Sequence, residues 1–176
     1  ITRISGSSGT AGADITYQTL TANSADNTTV TLAVVMTTTG LAAGTWRYRY
    51  SGNYQTAATT TGISMVTNFT GTVTSGQYAK RWTHVTTGAA ASTGVGDDVA
   101  GTNTGQIVEG HAHTTNNTDE GPTAGVATIN ANVGFVLEGF ATTTTSGNLE
   151  FKMRSEVAAS AVRIMAGTNL VLELVR

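Results

Sequence analysis

The chain has no cysteine, one proline and three histidines in 176 residues, and only 11% of its residues are charged. Without cysteine there is neither a disulfide framework nor a thiolate metal site, so packing and hydrogen bonds must hold the fold. Three histidines and no cysteine leave little for acid–base or covalent catalysis. No nucleophile elbow, phosphate-binding loop or zinc-protease motif occurs, so no enzyme activity and no cofactor are expected. A net charge of −2 gives no general attraction to nucleic acid or anionic lipid. No apolar run approaches the roughly 18 residues of a membrane-spanning helix, and the first residues do not read as a secretory leader. Neither nucleic acid nor membrane is an expected partner.

What is plentiful is threonine, at 36 residues, and glycine, at 21. Threonine is β-branched and favours strands, while its hydroxyl keeps a surface wet without charge. At 18.0 kDa the chain is long enough to bury a core. Two-residue alternation is the main local signal. Leu149, Phe151 and Met153 share one face of a strand, with Glu150, Lys152 and Arg154 on the other. Leu170, Leu172 and Leu174 repeat the device against Val171, Glu173 and Val175, and Trp46, Tyr48 and Tyr50 alternate with Arg47 and Arg49. The eight apolar members, Trp46, Tyr48, Tyr50, Phe151, Met153, Leu170, Leu172 and Leu174, are candidates for the core or for contact between subunits.

Further strands are expected at residues 15–20, 28–36, 62–70, 77–86, 106–112 and 125–132, with four more in 133–176. Ile63, Met65, Val66 and Phe69 are the inward candidates of the 62–70 strand. Residues 37–44, 88–105 and 113–122 read as loops. No segment has a convincing helical period. Short strands separated by turn signals point to a β-sandwich or barrel. Threonine triplets recur at 37–39, 59–61 and 142–145, but the spacing is not fixed, which argues against a β-solenoid.

Residues 1–14 differ from the rest. They hold three consecutive Gly-X-Y triplets, starting at Gly6, Gly9 and Gly12, without proline. Three triplets cannot hold a triple helix alone, so the segment reads as a glycine-rich linker or as the end of a collagen-like stalk. The expected domain division is an N-terminal arm over 1–14 and one all-β domain over 15–176.

Residues 41–50 (LAAGTWRYRY), 55–65 and 136–175 resemble the jelly roll of tumour-necrosis-factor-like proteins and of complement-type globular heads. More narrowly they resemble the version found in structural proteins of tailed bacteriophages. The resemblance covers roughly half the chain and is one of pattern, without invariant catalytic residues. It implies a homotrimeric jelly-roll β-sandwich with a short extended N-terminal arm, on the surface of a virion. Under it, Ile1, Arg3, Ile4, Gly6, Gly9 and Gly12 become candidates for attachment to a capsid or stalk. The implied partners are other copies of the chain and a major capsid protein or another virion protein. The expected function is capsid decoration or a head-fibre knob. The alternative is a tail-fibre head that binds a glycan or protein receptor on the host surface. The exposed-loop candidates 88–105 and 113–122 carry no aromatic residue, which favours the capsid exterior over the tail.

Four other constellations bear residue types that can carry chemistry. His111 and His113, followed by Asp119 and Glu120, are the best metal candidate, since residues two apart in an extended segment share a face. A solvated polar loop is the favoured reading there. Asp97 and Asp98 lack the alternating oxygen ligands of a calcium loop. Tyr78, Lys80, Arg81 and Trp82, like residues 46–50, interleave aromatics with bases, but strand alternation sends the two kinds to opposite faces and leaves no stacking groove. Asn27, Asn68 and Asn116 each begin an Asn-X-Thr triplet, a frequent coincidence in a chain this rich in threonine.

Overall fold

The computed structural model describes residues 2–4, 15–85, 104–113, 126 and 128–175. They form eleven strands and, among the described residues, no helix. In chain order the strands are β1 (Thr2–Ile4), β2 (Ile15–Thr19), β3 (Ala33–Leu41), β4 (Gly44–Thr56), β5 (Ile63–Phe69), β6 (Val73–Val85), β7 (Thr104–His113), β8 (Val133–Thr143), β9 (Gly147–Ser155), β10 (Val162–Ile164) and β11 (Asn169–Val175). Their pairings are antiparallel and make two sheets. The large sheet runs β1-β2-β11-β4-β8-β6-β7, with β10 beside β4 as well, and the small one runs β3-β9-β5. This is an all-β, sandwich-like architecture.

One core lies between the sheets. From the large sheet come Trp46, Tyr48, Tyr50, Phe135, Leu137, Leu170 and Leu172, and from the small one Met36, Met65, Phe69, Leu149, Phe151 and Met153. The alternation read in the sequence sets these faces, because an odd shift would turn every apolar side chain to water. Tyr50 stacks on Phe151 with ring centroids 4.6 Å apart, and Phe151 stacks on Phe135 at 5.9 Å. Aromatic pairs at such distances add about 0.5–1.5 kcal/mol each beyond burial.

Crossings between the sheets lie side by side at one end. The turn from β5 to β6 abuts the turn from β8 to β9, where the Thr70 amide donates to the Asn148 carbonyl and the Thr144 amide to the Thr72 carbonyl. At the other end Asn27 ties the chain together. Its side-chain amide donates to the carbonyls of Thr31 (2.9 Å) and Met153 (3.1 Å), while its Oδ1 accepts from the Thr29 amide (2.9 Å). Along one sandwich edge Gln18 reaches from β2 to β3, donating to the Thr37 carbonyl and accepting from the Thr38 hydroxyl at 2.8 Å.

Two expectations need correcting. The strand expected at 28–36 begins instead at Ala33 and runs to Leu41, across residues read as loop. The cause is Asn27, which holds residues 28–31 in a local hydrogen-bonded turn, the arrangement Asn favours over a ladder. The strand expected at 125–132 is not formed by its described residues. Asn130 there takes φ 54° in a turn, and its amide donates to the Thr56 carbonyl. Thr2–Ile4 pair with β2, from Tyr17 back to Ile15, at the edge of the large sheet.

A break separates β10 from β11 along the same edge of β4. Thr168 is fully buried in the break and its hydroxyl donates to the Met165 carbonyl at 2.8 Å. Gly52 of β4 makes room for it. A Cβ at Gly52 would sit 2.1 Å from the Thr168 hydroxyl and 2.8 Å from its Cα. Only glycine lets the two backbones approach this closely.

Candidate functional site

The outward face of the large sheet exposes several large apolar side chains among its charges. Register puts Tyr17 of β2 beside Val171 of β11, Val171 beside Arg49 of β4, and Arg49 beside Glu138 of β8. The next row runs Ile15, Glu173, Arg47 and Phe140. Val175 and Val136 extend the apolar positions along β11 and β8. Tyr17 is 44%, Phe140 37% and Val175 48% exposed. These are large side chains left in water on one face, where isolated ones would need no explanation.

Charges sit among them in loose pairs. Arg47 Nη1 lies 3.9 Å from Glu173 Oε2, and Arg49 Nε lies 3.7 Å from Glu138 Oε2. Both separations are within ion-pair range and beyond good hydrogen-bond length. The Arg47 side chain is 73% exposed. Pairs of this kind contribute about 0–1 kcal/mol to folding.

The outward side of the small sheet differs. There Lys152 Nζ contacts Glu150 Oε2 at 3.0 Å, and Asn68 donates to the same oxygen at 2.6 Å. Burial pushes the Glu150 carboxyl up, but hydrogen bonds from Asn68 and Lys152 and the lysine charge outweigh it and hold the group below its ordinary value. Ser64, Val66 and Asn68 are buried too, so β5 is covered on both faces, as the burial of both Met65 and Val66 requires.

The residues singled out in the sequence are distributed as follows. Trp46, Tyr48, Tyr50, Phe151, Met153, Leu170 and Leu172 are buried between the sheets, and Leu174 packs partly buried against them. Their place is the core. Contact between subunits, if made by these strands, falls to their alternate residues. The Tyr50 hydroxyl is buried with no hydrogen-bond partner among the described residues, and burial, then the neighbouring Tyr48, raises its pKa well above 10.0. Ile1, Gly6, Gly9 and Gly12 lie outside the described residues, as do Asp97, Asp98, Asn116, Asp119 and Glu120.

His111 and His113 fall in β7, an edge strand, at register positions opposite Tyr78 and Gly76. Among the described residues no group of three His, Cys, Asp or Glu side chains is placed to hold a metal ion. Asn27 and Asn68, both starting Asn-X-Thr triplets, are buried and have committed their side-chain amides to Met153 and Glu150. Those two amides are structural.

Sequence reasoning missed Tyr17 and Phe140, which matter only because β2 and β8 flank β11 and β4 in space. Val171, Glu173 and Val175 were visible, since β11 is apolar on both sides. No known protein-family model matches the chain, and no curated protein matches it.

Proposed function

We propose that the chain is a structural protein of a tailed-bacteriophage particle, a capsid decoration protein or head-fibre knob that assembles as a homotrimeric jelly roll. The strand order supports the jelly-roll part. β2, β4, β6, β8 and β11 lie in the large sheet and β3, β5 and β9 in the small one, so the chain passes repeatedly from one sheet to the other, as the Greek-key connections of a jelly roll do. Its work would be contact area, with a major capsid protein or other virion protein as the second partner.

One observation carries the self-assembly reading: β11 is sealed on one side by Leu170 and Leu172 and leaves Val171 and Val175 on the other, with exposed Tyr17 beside Val171 and exposed Phe140 across β4 on β8. Burying such a face against further copies removes apolar area from water at about 25 cal/mol per Å².

Imaging intact particles by electron cryo-microscopy tests the placement. Density over capsomer junctions is the expected result. Density confined to the tail tip would overturn it in favour of a receptor-binding fibre head. Mass measurement of the purified chain tests assembly, and a stable monomer at micromolar concentration would sink the trimer.

A further inference from the structure

From the outward side of the small sheet we propose that the chain joins Lys152 to Asn68 through an amide bond of its own making, with Glu150 carrying the protons. The bond ties β9 to β5 covalently in a chain that has no cysteine. It is independent of any assembly.

Placement, contact and residue type all point this way. Register sets Asn68 opposite Glu150 and Val66 opposite Lys152, so Asn68 is the diagonal neighbour of Lys152 on the outward face. Diagonal neighbours on an antiparallel pair stand about 7–8 Å apart, within the reach of a lysine. Lys152 Nζ at 3.0 Å and Asn68 Nδ2 at 2.6 Å meet the same Glu150 oxygen, so one carboxylate holds amine and amide together. Asn68 is buried and the other two side chains are mostly covered, although exposed Val34 leaves Lys152 open toward β3. Lysine is also the rarer choice, with two in the chain against seven arginines, and the pairs at Arg47, Arg49 and Arg163 use arginine. A guanidinium makes an ion pair and stays charged, whereas an amine can give up a proton and attack a carbonyl carbon.

The step needs no co-reactant. Glu150, held as a carboxylate, takes one proton from the Lys152 ammonium and frees the nitrogen lone pair. A turn of the lysine stem that brings Nζ to about 3–3.5 Å from the Asn68 Cγ sets up the attack. The Nζ–Cγ bond forms, the Cγ–Nδ2 bond breaks, and its electron pair leaves on nitrogen. Glu150 passes its proton to Nδ2, which it already touches. A second proton follows the same route from Nζ, and Nδ2 departs as ammonium. Nothing is oxidised or reduced.

Mass spectrometry of the purified, denatured chain tests the bond. The expected mass is lighter than the sequence by one ammonia, and trypsin should release a branched peptide joining the fragment with Asn68 to the fragment with Lys152. Wild type at full sequence mass would overturn the proposal. So would loss of ammonia without the branched peptide, since an asparagine that cyclises on its own backbone also loses ammonia. Lys152→Arg keeps the charge and should return the chain to full mass. Glu150→Gln should slow bond formation about a hundredfold or more. Circular dichroism reads the folding of both variants, and if either is unfolded the wild-type peptides decide alone. A folded Glu150→Gln chain that crosslinks as fast as wild type would remove Glu150 from the step. A trimer without the bond leaves the self-assembly reading standing, and a crosslinked monomer removes that reading alone.

Discussion

The outward faces of the two sheets are built from the same kinds of residue and behave differently. On the small sheet, Glu150 and Lys152 are in close contact, share Asn68 and expose 19% and 17% of their side chains. On the large sheet, Arg47 and Glu173 stand 3.9 Å apart with the arginine 73% exposed. Strand alternation sent charges outward in both. What separates them is cover on the β5 side. There Ser64 and Val66 are buried, although Val34 on the β3 side of Lys152 is 52% exposed. Tyr17 and Phe140 beside the second pair are both exposed. An outward charge on a finished surface has its partners in its own chain. One whose partners are loose, amid exposed apolar side chains, marks a surface that is not yet finished.

The largest effect expected from testing this contrast comes from Glu150→Ala. It strips Lys152 and Asn68 of a shared acceptor in a mostly covered setting and should lower unfolding free energy by about 2 kcal/mol, read from urea denaturation. A loss below a few tenths would mean that the small sheet's face is no more committed than the large one's.

Next in size is Tyr50→Phe, a control from the core between the two faces. Removing a buried hydroxyl that has no partner among the described residues should raise stability by about 1 kcal/mol. The sign of the pH effect follows from the raised pKa. The neutral phenol is favoured in the fold, so its stabilisation holds below the unfolded value near 10.0 and is lost as pH climbs through the folded one. The variant should therefore resist alkaline unfolding better than wild type. Equal alkaline midpoints would exclude Tyr50 as a trigger.

Glu150 gives a smaller effect at the acid end. Its folded pKa is lowered from 4.5, so its contribution is present above the unfolded value and fades as pH falls through the folded one. The stability difference between wild type and Glu150→Gln should stay level from neutral pH down to about 5 and shrink below that. A difference that grows on acidification would reverse the assignment. Smallest is Arg49→Ala, which should change the folding stability of the isolated chain by no more than about 0.5 kcal/mol. A cost as large as that of Glu150→Ala would erase the contrast between the faces.

Much of the core was legible because a period of two decides which side chains meet. Leu149 through Ser155 and Asn169 through Val175 have the faces their alternation implies, as does the aromatic series from Trp46 to Tyr50. The strand over 125–132 failed because valine, threonine and isoleucine there suggested pairing, while Asn130 supplied a turn. The shift of β3 had a similar origin in Asn27, whose capture of the Met153 carbonyl comes from 126 positions away. Half of the candidate surface could be read, on β11, because both of its faces are apolar. The other half could not, since no local pattern announces that Tyr17 and Phe140 will be brought to flank β11 and β4.

The position of β11 also bears on how the chain reaches this state. It is the last strand in order, and it alone joins β2 to β4. On a ribosome, β2 and β4 would emerge long before the residues that connect them, and with them the inward Thr16 and Gln18 and the aromatic run of β4. The pairings of β3 with β9 and of β4 with β8 are likewise remote in sequence. A topology so dominated by distant partners folds slowly, on the scale of milliseconds to seconds for comparable β domains. The large sheet can be closed only after β11 has emerged, so this seven-residue strand acts as the clasp that turns a collapsed nascent chain into a folded one.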